Sequence, residues 1–171
     1  MKVSGATTGR EVWAYTPAHS PPPNLLTMNP AGIQQVAFSP DGRRLAAALG
    51  SSQDPADSGE VKIWDAANGR EVHTLKGHTQ AVWSVAFSPD GTRLATCSCV
   101  PMVANKTGEG GEIKIWDALT GQELLTLRHE YGIGVAFSPD GRRLACAGAN
   151  NIVTIWDAPP EGERAAAPPG R

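Results

Sequence analysis

Apolar residues alternate with small or polar ones in short stretches along most of the chain, and the same stretches recur. The phrase Val-Ala-Phe-Ser-Pro-Asp-Gly begins at Val36, Val85 and Val135. Its copies therefore lie 49 and 50 residues apart. A second phrase, Ile-Trp-Asp-Ala, begins at Ile63, Ile115 and Ile155. A two-residue period predicts β-strands, and repetition at this interval predicts an array of one supersecondary unit.

The central copy of the unit predicts four short antiparallel strands joined by turns. The strands are expected at 82–88, 93–99, 112–116 and 122–127. In the Ser-Pro-Asp-Gly turn that follows the first strand, proline presets φ, and glycine takes the positive φ that closes a hairpin. One such sheet cannot bury both of its apolar faces, so neighbouring sheets must stack on it.

These phrases resemble the WD-repeat β-propeller family. The residues that carry the likeness are Gly77-His78, the stretch 82–91 and Ile115-Trp116-Asp117, and it extends over residues 1–158. The resemblance implies an all-β fold of blades with four antiparallel strands each. About three blades are expected, as a propeller that is incomplete or that closes only by assembly.

The repeat boundaries divide the chain into six parts. Residues 1–15 are expected to be the third and fourth strands of a preceding blade, because Lys2 to Val12 align with Lys62 to Val72. In that remnant, Ser4-Gly5 replaces the Trp-Asp pair. The remaining parts are a proline-rich loop at 16–32, blades at 33–76, 77–128 and 129–158, and a flexible Pro/Ala-rich tail at 159–171.

The predicted third blade lacks an outer strand of its own. In the resembling family an N-terminal strand commonly completes the C-terminal blade, which implies that residues 11–15 pair with this blade. Three blades are still too few, because closure takes roughly 4–8. Three explanations remain open: a fragment of a longer propeller, a six-bladed dimer, or a failing gene remnant. The mid-blade start favours the first.

Composition narrows the functional classes. The net charge of the 171 residues is −2, and no run of five like charges occurs, so binding to nucleic acid is not expected. No stretch resembles a signal-peptide core or an 18-residue apolar span, so no membrane association is expected. Three cysteines without framework spacing fit a reducing compartment. A cytoplasmic protein is the simplest interpretation.

Several residues match structural positions of the resembling family. His78, a hydroxyl at Thr96 or Ser98, and Trp116 match a hydrogen-bonded network. A hydrolase is the alternative for such a set, and a structural role is favoured. The repeated tryptophans are expected to anchor the core between blades, at Trp64, Trp116 and Trp156. The aspartates that follow them are expected to fix the next turn, at Asp65, Asp117 and Asp157.

The spacing of cysteine and acidic residues gives little support for a metal or cofactor site. Cys97 and Cys99 could contribute to a zinc site, but further ligands are lacking, and inert cysteines are the better interpretation. Asp54, Asp57 and Glu60 lack the spacing of a calcium loop, so a solvated loop is favoured. No cofactor is expected.

Trp83 is the main candidate for binding. Alternation places it near the mouth of an innermost strand, where an exposed aromatic residue suits the centre of a protein interface. The alternative is that Trp83 packs under a neighbouring loop. In the resembling family the corresponding positions line a top face that grips peptides; here they are Gly32, Gln34, Ala81, Trp83, Tyr131, Ile133 and Ala149. Insertions at 16–31, 50–59 and 100–111 are expected on the same face.

The function that follows is a non-catalytic scaffold that binds other proteins or peptides. Self-association through exposed end blades is a further possibility. A regulatory or targeting module of a larger protein such as a kinase is the main alternative. A propeller enzyme or small-ligand binder is less favoured, because no converging histidines and carboxylates are evident at strand ends.

Overall fold

In the computed structural model, every regular element among the described residues is a β-strand. The structure describes residues 2–4, 11–15, 32–50, 59–99, 111–129, 132–148 and 150–157. The strands are β1 (Lys2–Ser4), β2 (Glu11–Ala14), β3 (Gly32–Phe38), β4 (Arg44–Gly50), β5 (Glu60–Asp65), β6 (Glu71–Leu75), β7 (Val82–Phe87), β8 (Arg93–Ser98), β9 (Glu112–Asp117), β10 (Glu123–Arg128), β11 (Gly132–Phe137), β12 (Arg143–Gly148) and β13 (Val153–Asp157).

These strands form antiparallel sheets in chain order. Blade one is β3-β4-β5-β6, blade two is β7-β8-β9-β10, and blade three is β11-β12-β13. The remaining sheet is the two-stranded hairpin β1-β2. The predicted all-β fold, with antiparallel blades in an incomplete propeller, is confirmed.

The Ser-Pro-Asp-Gly turn closes the first hairpin of each blade through one serine–aspartate pair. In blade two the Ser88 hydroxyl donates to Asp90 Oδ1 at 2.5 Å, and Ser88 Oγ accepts from the Arg93 amide at 2.9 Å. Gly91 has φ of 70°, a left-handed conformation that glycine adopts without steric cost. The hydrogen bond from Ser88 lowers the pKa of Asp90 to about 2.

We expect Asp90→Ala to lower the free energy of unfolding by about 1 kcal/mol, because the hydrogen bonds to Ser88 and the Thr92 amide are lost. Urea denaturation measures this loss. Asp140→Ala removes the equivalent serine and backbone-amide bonds from the exposed turn of blade three, which lacks the bond from the Thr92 hydroxyl, and it should cost less. Equal losses in the two variants would show that neither this hydroxyl bond nor the burial of Ser88 contributes.

The core lies between stacked blades. The face that a blade turns toward the next blade, here called its forward face, is made in blade one by Ala46, Ala48, Val61 and Ile63. It packs against the backward face of blade two, which includes Val85, Leu94 and Trp116. The forward face of blade two packs in the same way on the backward face of blade three. Blade two is therefore covered on both sides.

The N-terminal hairpin covers part of the backward face of blade one. The rings of Trp13 and Tyr15 lie 6.1 and 4.9 Å from the Trp64 ring, centroid to centroid. The implied pairing of residues 11–15 with blade three is not formed in this structure, since β2 pairs with β1. The physical reason is that β1 already occupies the third-strand position beside β2.

Candidate functional site

Each innermost strand carries a β-bulge near its first residue. In β7 the register runs from Val82↔Ser98 to Ser84↔Cys97, so Trp83 is the extra residue. The equivalent shifts in β3 and β11 leave Gln34 and Ile133 as the extra residues. A bulge re-aims a side chain at a sheet end. Gln34, Trp83 and Ile133, which the sequence pattern assigned to the mouth of the innermost strand, are therefore the three bulge residues. The sequence pattern did not predict the bulges.

Two of the bulge side chains are held by the same type of hydrogen bond. Trp83 Nε1 donates to the Cys99 carbonyl at 3.1 Å, and Gln34 Nε2 donates to the Gly50 carbonyl at 3.2 Å. Gly50 is the last residue of β4, and Cys99 directly follows β8, so both carbonyls lie where the second strand of the blade ends. Trp83 is half-buried, which leaves part of the indole accessible, whereas Ile133 is 46% exposed.

The remaining positions of this face contribute unequally. Ala81 is buried, and a Cβ added to Gly50 would lie 2.7 Å from the Ala81 Cβ. The Gly59 amide donates to the Gln80 carbonyl at 3.1 Å, so both ends of the 51–58 segment lie beside the start of β7. Tyr131 and Ala149 lie outside the described residues, as do most of the three insertions, including Asp54 and Asp57.

His78 joins both candidate hydroxyls rather than one of them. Its Nδ1 lies 2.9 Å from Ser98 Oγ, and its Nε2 lies 2.6 Å from Thr96 Oγ1. Trp116 Nε1 donates to the same Thr96 oxygen at 2.8 Å. Burial lowers the pKa of His78 to about 4. Since both hydroxyl-bearing residues are fully buried, a substrate has no access to them, and the geometry favours a structural role.

Blade three carries a partial version of this network. The Thr96 position is Cys146 in blade three and Ala47 in blade one, judged by strand register. The His129 ring nevertheless lies edge-on to Trp156, with centroids 5.3 Å apart, much as His78 lies 6.0 Å from Trp116. His129 precedes β11 by three residues, and His78 precedes β7 by four.

The three tryptophans differ in burial. Trp64 and Trp116 are each 2% exposed, whereas Trp156 is half-buried. Asp65 and Asp117 each accept two amides of the following turn; for Asp117 these belong to Leu119 and Thr120. Asp157 instead accepts from Arg143 Nε at 2.7 Å, and the turn after it lies outside the described residues.

Sequence reasoning missed an ionic cluster on the outer strands. Lys114 Nζ contacts Glu112 at 3.1 Å and Glu123 at 2.9 Å, and it donates to Thr126 at 2.8 Å. Lys62 makes the equivalent contacts in blade one. The available signal was a lysine on the third strand with Glu and Thr three residues apart on the fourth. The cluster joins the outer strand to its blade.

The cysteines and acidic residues offer no metal site among the described residues, where no suitable group of three ligands occurs. Cys97 and Cys146 meet between blades two and three, and this neighbouring thiol together with burial raises the pKa of Cys97. Burial raises the pKa of Cys99 to about 11. Cys97 and Cys99 are therefore poor nucleophiles at neutral pH. The described part of the chain has no helix that could cross a membrane.

Comparison with known families agrees with this geometry. A model described as "WD domain, G-beta repeat" matches residues 23–65, 69–117 and 121–157, which together make up most of the chain. The chain belongs to the WD-repeat family. Each WD repeat is offset from the blades: the repeat at 69–117 begins just before β6 of blade one and ends with β9 of blade two. Adjacent blades are thereby linked covalently through one repeat.

A short stretch of the chain is similar to part of a much longer protein. The chain is 43% identical over 60 residues to the "Probable serine/threonine-protein kinase PkwA" of Thermomonospora curvata. The match covers 35% of this chain and 7% of that protein. WD-repeat domains generally bind other proteins and are generally non-catalytic.

Proposed function

We propose that this WD-repeat chain is a non-catalytic scaffold whose top face binds a peptide segment of a partner protein. The top face comprises Gly32, Gln34, Ala81, Trp83, Tyr131, Ile133 and Ala149. The observation that carries the proposal is the Trp83 indole, half-buried and oriented by its hydrogen bond to Cys99 at a bulged strand end. A fixed aromatic side chain suits the centre of an interface.

The chemistry of this face indicates the kind of segment that it would take. None of its seven residues is charged. Trp83 and Ile133 present apolar surface, and Gln34 provides an amide. A segment with an apolar anchor and neutral hydrogen-bonding groups would leave no buried charge unpaired, which is the main penalty in such interfaces.

We expect Trp83→Ala to weaken peptide binding at least about tenfold, the effect of losing a central aromatic anchor. Peptides would be selected from a random displayed library on the unaltered chain, and their affinities measured by fluorescence polarisation. Trp83→Phe should retain part of the affinity, because an apolar ring remains, although it is smaller and lacks the indole N–H.

The matched control for this experiment is Leu119→Ala. Leu119 is 61% exposed in the turn at the opposite end of the strands. Its removal should leave the selected peptides bound as before. Peptides that tolerate Trp83→Ala but not Leu119→Ala would contradict the proposal. Thermal melts of all variants separate loss of binding from loss of folding.

The proposed partners also include further copies of this chain, which would meet through the end blades. That the chain avoids nucleic acid and membranes, and that it acts in the cytoplasm, stay predictions from composition. Self-association and peptide binding use different surfaces, so either can hold without the other.

A second candidate function is a regulatory or targeting module of a larger protein kinase. The match to the kinase of Thermomonospora curvata favours it, although that match spans only 7% of the relative. Sequencing the DNA that flanks the gene tests this candidate. A kinase catalytic domain in the same reading frame would support it, and stop codons on both sides would exclude it.

A further inference from the structure

Blade three exposes a face that is buried in both other blades. Val153 and Ile155 of this forward face are 64% and 61% exposed. Their counterparts in blade two, Ile113 and Ile115, are 0% and 9% exposed, because blade three covers them. Unless another backward face covers it, the forward face of blade three leaves apolar side chains in water.

Blade one exposes the complementary surface. Val36 and Phe38 on its backward face are 44% and 55% exposed. The counterparts of Val36 are Val85 at 1% and Val135 at 7%. The N-terminal hairpin covers this face around Trp64 and leaves Val36 and Phe38 exposed. One chain thus carries an uncovered forward face on blade three and a partly covered backward face on blade one.

The hairpin strand β2 has the pairing pattern of a fourth strand. It pairs Ala14 with Lys2 and Trp13 with Val3, and then shifts register before Glu11. In blade one, β6 pairs Thr74 with Lys62 and His73 with Ile63, and it shifts at the same step. No described strand pairs with β13 on the side where β6 and β10 complete the other blades.

β2 is fixed to blade one independently of β1. Trp13 Nε1 donates to the Ala66 carbonyl at 3.1 Å. A Cβ built on Gly69 would lie 2.8 Å from the Trp13 ring, so the indole lies directly on this turn. β1 itself has three residues, and Ser4 stands where β5 and β9 carry their tryptophans. Exchange of β1 for another third strand therefore breaks only three backbone pairings.

We propose that two copies of this chain close into a ring of six blades, a number within the range of roughly 4–8 that permits closure. In each of two identical contacts, the forward face of blade three covers the backward face of blade one in the other copy. There β13 replaces β1 beside β2. The inference deepens the proposed self-association and rests on it. The occupant is a second copy because the same pair of faces already packs twice within one chain.

The arginines at the contacts between neighbouring blades, here called seams, support this pairing. Arg44 donates to the Ala118 carbonyl of the next blade, and Arg93 donates to the Gly141 carbonyl. The Arg93 guanidinium also lies 5.4 Å from the centroid of the Phe137 ring. Arg143 has the equivalent position in blade three, and its side chain is 64% exposed. In the ring it would lie over the exposed Phe38 of the other copy.

One contact of the existing seams would be missing. The Ser84 hydroxyl accepts the Val135 amide at 3.0 Å, and Gln35 Oε1 accepts the Val85 amide at 2.9 Å. The counterpart of Gln35 and Ser84 in blade three is Gly134. It has no side chain that could accept an amide of the next blade. The ring seam is therefore expected to open more readily than the two covalently linked seams.

The first test is the mass of the full-length chain in solution. Sedimentation velocity should show a species of twice 17.9 kDa that dissociates on dilution. A monomer at all concentrations would overturn both the ring and the proposed self-association, and would leave peptide binding by the top face unaffected. Larger open oligomers would overturn the closed ring alone.

The second test traps the exchanged strand. Register predicts that Ala14 of one copy lies opposite Thr154 of the other. Ala14→Cys and Thr154→Cys chains are mixed and treated with oxidised glutathione, and a disulfide-linked heterodimer is expected. Ala14→Cys mixed with Thr126→Cys on β10 is the control and should not cross-link. The natural cysteines are buried and should not compete. A dimer without the cross-link would overturn the strand exchange but not self-association.

A variant with a disulfide between β1 and β2 tests whether preventing the strand exchange also prevents the dimer. Lys2→Cys with Ala14→Cys joins β1 to β2 at a directly paired position. We expect this chain to be a monomer when oxidised and a dimer when reduced, since the disulfide keeps β1 in the place that β13 needs. A dimer in both states would overturn the exchange. The reduced form of the same chain controls for misfolding.

Discussion

Trp116→Ala is expected to lower the free energy of unfolding by about 3–5 kcal/mol, the usual cost of removing a fully buried aromatic side chain. The indole is 2% exposed and packs in the cluster between blades one and two. It also donates to the buried Thr96 hydroxyl. In a chain of this length, such a loss lowers the melting temperature by about 10 °C. Urea denaturation and thermal melts followed by circular dichroism measure both quantities.

Two variants test the cause of this loss. Trp116→Phe keeps most of the apolar contact and removes the hydrogen bond, so it should cost less. Trp156→Ala removes the half-buried counterpart in blade three, and its cost should also be smaller. A shift of only a degree or two in Trp116→Ala would show that this ring does not anchor the two blades.

Acidification should destabilise the chain by about 3 kcal/mol through His78 alone. Burial lowers the pKa of His78 from 6.5 to about 4. The unfolded chain therefore binds a proton at this residue at higher pH than the folded chain does. The contribution to stability is complete above pH 6.5, declines as the pH falls, and is lost once the pH passes below about 4.

The matched variant for the pH experiment is His78→Leu. It should be less stable than the unaltered chain at pH 7.5, since the bonds to Thr96 and Ser98 are lost. Between pH 6.5 and 4.5, however, its stability should change less with pH, because the titrating ring is gone. Carboxylates contribute in both proteins, so the difference between the two urea-denaturation series isolates His78. Parallel pH curves would contradict the assignment.

Most of the fold could be predicted because the repeated phrases carry their own geometry. Strand alternation, the Ser-Pro-Asp-Gly turn and the Trp-Asp pair are local signals, and each of them recurs at a fixed interval. The family and the all-β architecture of the WD-repeat chain are both confirmed. Alternation placed Trp83 near a strand mouth, and the repeat alignment gave Gln34 and Ile133 as its counterparts.

What could not be predicted depends on contacts across the sheets. A bulge at Trp83 is a property of the register between β7 and β8, and no local phrase encodes it. The sequence left open whether Thr96 or Ser98 is the partner of His78, because this depends on where the imidazole ring lies. The ring lies between the two hydroxyls and contacts both. The pairing of β2 with blade three was inferred from the closed rings of the resembling family, whereas in the structure of the single chain β2 pairs with the adjacent β1.

Amide hydrogen exchange, read by mass spectrometry, tests most directly whether stacked blades bury the centre of the chain. Blade two is covered on both faces, so the amides of β8 and β9 should be the slowest to exchange, with protection equal to the free energy of unfolding measured in urea. The exposed turn at Leu119 and Thr120 should exchange rapidly. If β8 and β9 exchanged as fast as that turn, blade two would not be enclosed, and the stacked-blade structure would be contradicted.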